Sequence, residues 1–213
     1  MRIKKILAIE TSSINCGVAI IDENKVLSIV EDNCPRKHNE NLPGFIKSVL
    51  LQSNLDLNQI DAIAISIGPG SFTGLRIGLG FAKGMAFSKD LPLIPVPSLL
   101  ALAFSLKEFL PTNGISYSHS NKVFYQEFDW KEGFPTIKKK PVIGEVNDYL
   151  NMLNNGFQSN CNNILKNTII REAIPSASSI GLLAYLCSNN WAIEKAYDIV
   201  PDYIAPFEIK KRV

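Results

Sequence analysis

The order of apolar and polar positions along the chain predicts a mixed α/β fold. Short apolar runs at residues 5–9, 16–21 and 26–31 are separated by polar turns and are typical of an antiparallel meander of strands. Apolar residues then recur at helical spacing over residues 42–52, with Pro43 in the first turn, where proline is tolerated. A helix therefore follows the meander.

The stretch at residues 61–89 combines a short apolar run, a glycine turn and a helix with almost no polar face. Residues 62–67 predict a buried strand, and Ser71 or Thr73 can cap a helix over residues 72–88. Each glycine within that helix costs about 0.5 to 1 kcal/mol relative to alanine. The glycines are Gly74, Gly78, Gly80 and Gly84. We interpret them as the contact surface for a partner helix; a fully buried central helix is the alternative.

The second half of the chain carries weaker signals. A strand at residues 93–96 and a helix that is capped by Ser98 and ends near residue 110 complete a predicted N-terminal lobe, residues 1–110. Residues 111–213 form a smaller, divergent C-terminal lobe with an extended tail over residues 201–213. Its predicted elements are strands at residues 115–117, 123–129, 136–142 and 163–165, and helices at residues 146–153 and 176–188.

Composition argues against several classes of protein. Lys and Arg total 22 against 20 Asp and Glu, so no strongly basic nucleic-acid surface is indicated. The first apolar run ends at Glu10, too early for a signal-peptide core, and no run approaches the roughly 18 apolar residues of a membrane span. Cysteines 16, 34, 161 and 187 follow no disulfide or metal spacing. We expect a cytoplasmic protein with reduced thiols and no membrane partner.

The turn GPGSFTG leads from a predicted strand into a helix, where backbone amides often bind phosphate. Its glycine spacing matches neither the Walker loop nor the dinucleotide-binding GxGxxG. A plain tight turn and a vestigial nucleotide or anion site remain as alternatives. The residues of the second alternative are Glu10, Thr11, Ser12, Gly70 and Ser71.

Residues suited to catalysis or metal binding are scarce. His38 and His119 are the only histidines and are far apart, so no HExxH or HxxxH pair exists. His38 lies at a helix entrance, where capping or an interface contact is favoured over catalysis. The basic residues 138–140 are typical of a solvated sheet edge, with RNA-backbone contact as the alternative. We predict no catalytic residue and no metal ligand.

Four segments carry a family resemblance: ILAIETSSINCGVAII, RKHNENLPGFI, DAIAISIGPGSFTGLRIGLGFAKGMAF and PLIPVPSLLALA. They resemble the bacterial TsaB (YeaZ) family, strongly over about the first 105 residues and weakly beyond. The resemblance implies an α/β, actin-like and Hsp70-like (ASKHA, ribonuclease H-like) two-lobe fold with a reduced second lobe.

The resemblance also implies a function. TsaB-like proteins are noncatalytic partners of TsaD, which transfers threonylcarbamoyl to the tRNA adenosine next to the anticodon, and a TsaE-like ATPase joins the complex. We therefore expect a TsaD-like partner, a homodimer in isolation and indirect contact with tRNA. No cofactor is expected in this chain, with ATP and Mg²⁺ entering only through partner subunits. The interface implied on the first two helices comprises His38, Asn41, Leu42, Phe45, Ile46, Val49, Phe72, Thr73, Gly74, Leu75, Arg76, Gly78, Leu79, Phe81, Ala82 and Met85.

The second lobe departs from the family pattern. Relatives often read IDARRGEVY where this chain has ISYSHSNKVFY, and the usual PxYLR reads Pro201 to Ala205 without the arginine. The alternative function is an actin-like ATPase or small-metabolite kinase that uses Glu10 and residues 11–13 with Mg²⁺. A peptidase acting on its partner ranks last, because no convincing nucleophile is present.

Overall fold

Five strands form the first of two sheets in the computed structural model, which describes residues 3–165, 169–194 and 198–204. The strand order is β3-β2-β1-β4-β5. The first three strands form the predicted antiparallel meander, and β4 and β5 run parallel to β1. The strands are β1 (Lys5–Glu10), β2 (Asn15–Asp22), β3 (Lys25–Asn33), β4 (Ala62–Gly68) and β5 (Leu93–Pro97).

The second sheet has the order β11-β10-β6-β7-β8, and β9 pairs with β7. Strands β6 and β7 are antiparallel, whereas β10 lies parallel to β6. The strands are β6 (Asn113–His119), β7 (Lys122–Lys131), β8 (Phe134–Ile137), β9 (Val142–Glu145), β10 (Gly156–Ser159) and β11 (Arg171–Glu172).

Helices cover both faces of the first sheet. The helices are α1 (His38–Gln52), α2 (Phe72–Lys89), α3 (Ser98–Ser105), α4 (Val146–Tyr149) and α5 (Ala177–Trp191), with 3-10 turns at Leu57–Gln59 and Leu150–Asn155. Alternate residues of β1 point to opposite faces, so Leu7 packs in the core under α1 and α2, whereas Ala8 packs under α5. Burial on both faces explains why β1 reads as a continuous apolar run.

Helix α3 lies between the two sheets. Every residue from Ser98 to Phe104 is buried, and its apolar side chains share one core with Phe124, Phe128 and Phe157 of the second sheet. Because its surroundings are apolar on all sides, this short helix needs no polar face. Helix α5 belongs to the C-terminal half of the sequence but packs on the first sheet. The predicted lobe boundary at residue 110 therefore separates the strands of the first sheet from those of the second. That residue 110 is also a domain boundary stays a prediction.

Two predicted helix boundaries are wrong. Helix α1 begins at His38, earlier than predicted, because the buried His38 ring lies 3.2 Å from the Asn15 carbonyl oxygen and ties the first turn to β2. Pro43 is consequently inside the helix, where its exposed ring points away from the sheet. Helix α3 ends at Ser105 because residues 107–110 are exposed and have no core to cover. The hydroxyl of Ser98 does not cap it but accepts a hydrogen bond from Gly68 N at 3.1 Å.

Further corrections concern the second lobe. The strand predicted at 136–142 is divided between β8 and β9, because Pro141 has no N–H to donate and interrupts the ladder. Residues 163–165 form a turn closed on the Cys161 carbonyl, and the strand lies earlier, as β10. The helix predicted at 146–153 is a short α4 followed by a 3-10 turn. The helix predicted at 176–188 is confirmed as α5, and the predicted tail beyond residue 204 lies outside the described residues.

The candidate partner face and the adjoining cleft

The start of α2 is fixed by contacts with the turn between β1 and β2. Ser71 caps the helix, as predicted, because its Oγ accepts a hydrogen bond from Gly74 N at 3.2 Å. The backbone N–H of Ser71 donates to the Ser12 carbonyl oxygen at 2.7 Å. Gly68, just before this turn, has a φ of +111°, a conformation that side chains rarely adopt. The glycine turn therefore sets where the helix begins.

Gly74 and Gly78 face the interior of the protein. A Cβ atom at Gly74 would collide with the Thr11 carbonyl oxygen, and one at Gly78 would collide with the Thr11 hydroxyl and lie 3.0 Å from Ile65 Cδ1. Both glycines are buried. Their lack of a side chain lets the β1–β2 turn approach α2, so our interpretation of these two glycines as contacts for a partner helix is wrong.

Several other residues of the predicted interface are also buried in the core beneath the two helices. A partner cannot touch these side chains, which hold α1 and α2 on the first sheet. They are Leu42, Val49, Leu75, Leu79 and Ala82, each no more than 6% exposed. His38 is likewise buried at the start of α1. The interface as a whole stays a prediction, but these members act within the protein.

Gly80 and Gly84 lie on the outer face of α2, and a Cβ atom at either would meet no atom of residues 3–165, 169–194 and 198–204 within 4 Å. The neighbouring side chains Phe81 and Met85 are half-buried, and Phe87 is 90% exposed. We define the partner face as the exposed and half-buried residues of α1 and α2. From the predicted interface it includes Asn41, Phe45, Ile46, Phe72, Thr73, Arg76, Phe81 and Met85.

Our sequence-based interface omitted several residues of the partner face. Leu51 on α1 is 70% exposed, and on α2 the omitted residues include Ile77, Gly80, Gly84 and Phe87. Thr73, Arg76, Gly80, Gly84 and Phe87 follow one another at intervals of three or four residues. That interval is the signal that identifies one side of a helix from sequence.

A strap formed by residues 199–204 crosses the beginning of α2. The Asp202 N–H donates to the Ile67 carbonyl oxygen at 2.8 Å, and Arg76 Nε donates to the Tyr203 hydroxyl at 2.8 Å. The rings of Phe72 and Tyr203 are 4.9 Å apart, and the Arg76 guanidinium lies 3.8 Å from the centre of the Phe72 ring. Tyr203, from the altered PxYLR segment, thus contacts α2 of this chain. The sequence does not reveal this contact.

Glu10 is buried at the end of β1 and accepts a hydrogen bond from the backbone N–H of Ser12. Burial raises the pKa of its carboxyl group from 4.5 to about 7, although hydrogen bonds from Ser12 and Ser66 oppose this rise. The carboxyl therefore acts as an acceptor for its own turn. Glu10, Thr11, Ser12, Gly70 and Ser71 do lie together, as predicted, but their binding of an anion stays a prediction.

The predicted basic trio is largely neutralised. Lys138 Nζ lies 3.8 Å from an Asp129 carboxylate oxygen, and Lys139 Nζ lies 2.8 Å from one of Glu127. Within the described ranges, no group of three or more His, Cys, Asp or Glu residues could hold a metal ion. No helix in the same part of the chain is long and apolar enough to cross a membrane.

A cleft of about 1230 Å³ opens between the two sheets beside the start of α2. One wall consists of the β1–β2 turn, the first turn of α2 and the beginning of α1. The other wall is a face of the second sheet that includes Ser116, Phe124 and Ser159, and the strap contributes to the rim. Residues from both halves of the molecule therefore line the cleft.

Comparisons with known proteins find similarity to TsaD and to TsaB proteins. A family model described as TsaD, tRNA N6-adenosine threonylcarbamoyltransferase, matches residues 25–118, the part that contains α1 and α2. The tRNA threonylcarbamoyladenosine biosynthesis protein TsaB of Haemophilus influenzae (strain ATCC 51907 / DSM 11121 / KW20 / Rd) is 44% identical over 98 residues. That match covers 46% of this chain and 41% of the relative, so the chain spans less than half of that protein's length.

Two further matches extend over nearly the whole chain. TsaB of Buchnera aphidicola subsp. Baizongia pistaciae (strain Bp) is 27% identical over 218 residues, which cover 95% of this chain and 98% of the relative. The structure of YeaZ from Pseudomonas aeruginosa superposes with a TM-score of 0.78 at 21% identity, covering 94% of this chain and 99% of that one. The fold is therefore the actin-like (ASKHA) fold, and the matches to TsaB and YeaZ proteins support a place for this chain in the TsaB (YeaZ) family.

Proposed function

We propose that this protein is a noncatalytic subunit in the biosynthesis of threonylcarbamoyladenosine in tRNA, and that it binds a TsaD-like protein through its partner face. The pathway comes from the TsaB relatives, which are named for that biosynthesis. The observation that carries the binding role is the pair of outer glycines. Gly80 and Gly84 cost stability in a helix, and no residue that the structure describes lies close enough to require them.

Glycines four residues apart let another helix backbone approach closely, a spacing best known from membrane helices. Around them, Phe81 and Met85 present half-buried apolar surface, and Phe87 is almost fully exposed. Aromatic and Met side chains are enriched in the cores of protein interfaces. The partner face therefore supplies both close backbone approach and apolar area to bury.

The TsaD family model supports the choice of partner. Its match to residues 25–118 includes both helices of the partner face, so a TsaD-like protein has counterparts of α1 and α2. Two similar helix pairs can pack around an approximate twofold axis, as in the isologous contacts of dimers. The same geometry would pair two copies of this chain in isolation. A TsaE-like ATPase and tRNA then join the complex through contacts shared with TsaD.

The side chains available for chemistry support a noncatalytic role. Glu10 is engaged by its own turn, and all four cysteines are buried. Burial raises the pKa of the Cys16 and Cys161 thiols to about 12 and that of Cys187 to about 11, so they are poor nucleophiles at neutral pH. No convincing nucleophile of a peptidase is present among the described residues.

Gly80→Leu tests the proposal. Leucine has a higher helix propensity than glycine, so the variant should be about 0.5 to 1 kcal/mol more stable than the unchanged chain. It should nevertheless lose binding to a TsaD-like protein, because the leucine side chain would hold the partner helix away. Binding is measured by calorimetry and size-exclusion chromatography.

Asn189→Leu provides the matched control, since it adds leucine at an exposed position of α5, away from the partner face. It should leave binding unchanged. Gly80→Leu that still forms the complex with unchanged affinity would refute the proposed interface. Turnover of ATP by the isolated chain in the presence of Mg²⁺ would instead favour the kinase or ATPase alternative.

A further inference from the structure

We propose that Arg76 of the partner face binds a carboxylate of the partner protein, and that this contact selects an acidic, TsaD-like partner over a second copy of this chain. The inference rests on the proposed function and adds the chemistry that the partner must supply. Two observations carry it. They are the contacts that hold the Arg76 side chain in place and the unequal charges of α1 and α2.

The Arg76 side chain is held by two aromatic residues although it is exposed. Its Nε donates a hydrogen bond to the Tyr203 hydroxyl at 2.8 Å. Its guanidinium carbon lies 3.8 Å from the centre of the Phe72 ring and 5.6 Å from that of the Tyr203 ring. A long cationic side chain normally loses rotamer freedom when it binds a partner. Because Phe72 and Tyr203 already restrict Arg76, a contact through its guanidinium group costs less of that freedom.

The guanidinium group of Arg76 retains donors for a partner. An arginine side chain has five N–H donors, and the Tyr203 hydroxyl engages only the one at Nε. Among the residues that the structure describes, no Asp or Glu forms an ion pair with Arg76. The two Nη atoms can donate together to both oxygens of one carboxylate, the geometry that distinguishes arginine from lysine. An acidic side chain of the partner is therefore the acceptor that fits this site.

The charges of α1 and α2 are unequal. Four of their five charged residues are cationic, namely Lys47, Arg76, Lys83 and Lys89, and Glu40 is the fifth. The whole chain, by contrast, has 22 Lys and Arg against 20 Asp and Glu. Two copies of this chain that pair through these helices would bring mostly like charges together, which disfavours association. A partner whose helix pair carries Asp or Glu would be attracted instead.

Arg76→Gln tests the inference, because glutamine removes the charge and keeps a polar side chain. Calorimetry of the full chain with the TsaD-like protein, at about 0.05 M and about 0.5 M NaCl, measures heterodimer affinity. The variant should bind about tenfold more weakly at low salt and lose much less at high salt, because salt screens the ion pair. Its self-association, measured by analytical ultracentrifugation, should be unchanged or stronger, since a like charge has been removed.

Two further variants assign the effect to the held arginine. Lys131→Gln is the matched control, since Lys131 is exposed at the end of β7, outside the partner face. It should leave heterodimer affinity and self-association unchanged. Tyr203→Phe keeps the aromatic ring and the net charge but removes the acceptor of the Arg76 Nε–H. It should weaken the heterodimer about threefold, because Arg76 is then held less firmly.

The results separate this inference from the proposed function. Equal heterodimer affinities for Arg76→Gln and Lys131→Gln, together with loss of binding in Gly80→Leu, would refute the role of Arg76 and leave the partner face intact. Unchanged binding in both Arg76→Gln and Gly80→Leu would refute the partner face, and this inference with it. Self-association that weakens in Arg76→Gln as much as the heterodimer does would overturn the selection of an acidic partner.

Discussion

Replacing the buried Glu10 by glutamine should change how the stability of the protein depends on pH. Its pKa is 4.5 in the unfolded chain and about 7 in the folded protein, mainly because burial disfavours the charged form. Between these values the folded state binds more protons than the unfolded state. The free energy of unfolding must therefore fall as pH rises through this window.

The size of the effect follows from the two pKa values. Each unit of difference corresponds to about 1.4 kcal/mol, so ionising Glu10 in the folded state should cost about 3 kcal/mol by pH 8. Glutamine keeps an acceptor oxygen for the Ser12 N–H but has no charge to bury. Relative to the unchanged protein, Glu10→Gln should gain about 2.5 kcal/mol between pH 5 and pH 8, because a small part of the loss has already occurred at pH 5.

Urea unfolding, followed by tryptophan fluorescence at several pH values from 5 to 8, measures this difference. Burial also raises the pKa of Glu31, whose charge is the smallest of the causes that shift the pKa of Glu10, so most of the Glu31 contribution is common to both proteins. Glu108→Gln is the control, since Glu108 is exposed and should leave the pH dependence unchanged. Parallel curves for Glu10→Gln and the unchanged protein would refute the assignment of a buried, destabilising carboxyl group.

Two further predictions concern the glycines and the thiols. Gly78→Ala should lower the free energy of unfolding by about 1 to 3 kcal/mol because of the collision with Thr11, whereas Gly80→Ala should raise it by about 0.5 to 1 kcal/mol. Urea unfolding of both variants measures these changes. Equal effects would contradict the assignment of Gly78 to the inner side of α2 and Gly80 to its outer side. Cys16 and Cys161 should resist a thiol reagent at pH 7.5 in the folded protein and react when it is unfolded, because burial raises their thiol pKa to about 12. Rapid labelling of either residue under native conditions, measured by mass spectrometry, would show that it is accessible.

Local sequence patterns predicted most of the first sheet. The meander, β4 and α2 appear close to their predicted limits because each is specified by periodicity within a few adjacent residues. Ser71 was identified as a cap for the same local reason. Predictions were poorer in the second lobe, where short strands such as β10 are stabilised by pairing with distant segments and carry little signal of their own.

The sequence by itself determined that α2 is a glycine-rich helix with too little polar surface, and that it follows a tight turn after a buried strand. Only the tertiary structure decided which glycine serves which purpose. Gly74 and Gly78 face Thr11, which is distant in sequence, whereas Gly80 and Gly84 have no neighbour among the described residues. Tertiary structure also decided the lining of the cleft, because Ser116 and Ser159 become neighbours only through strand pairing. Helical periodicity can separate the sides of a helix, but it cannot show what each side will meet.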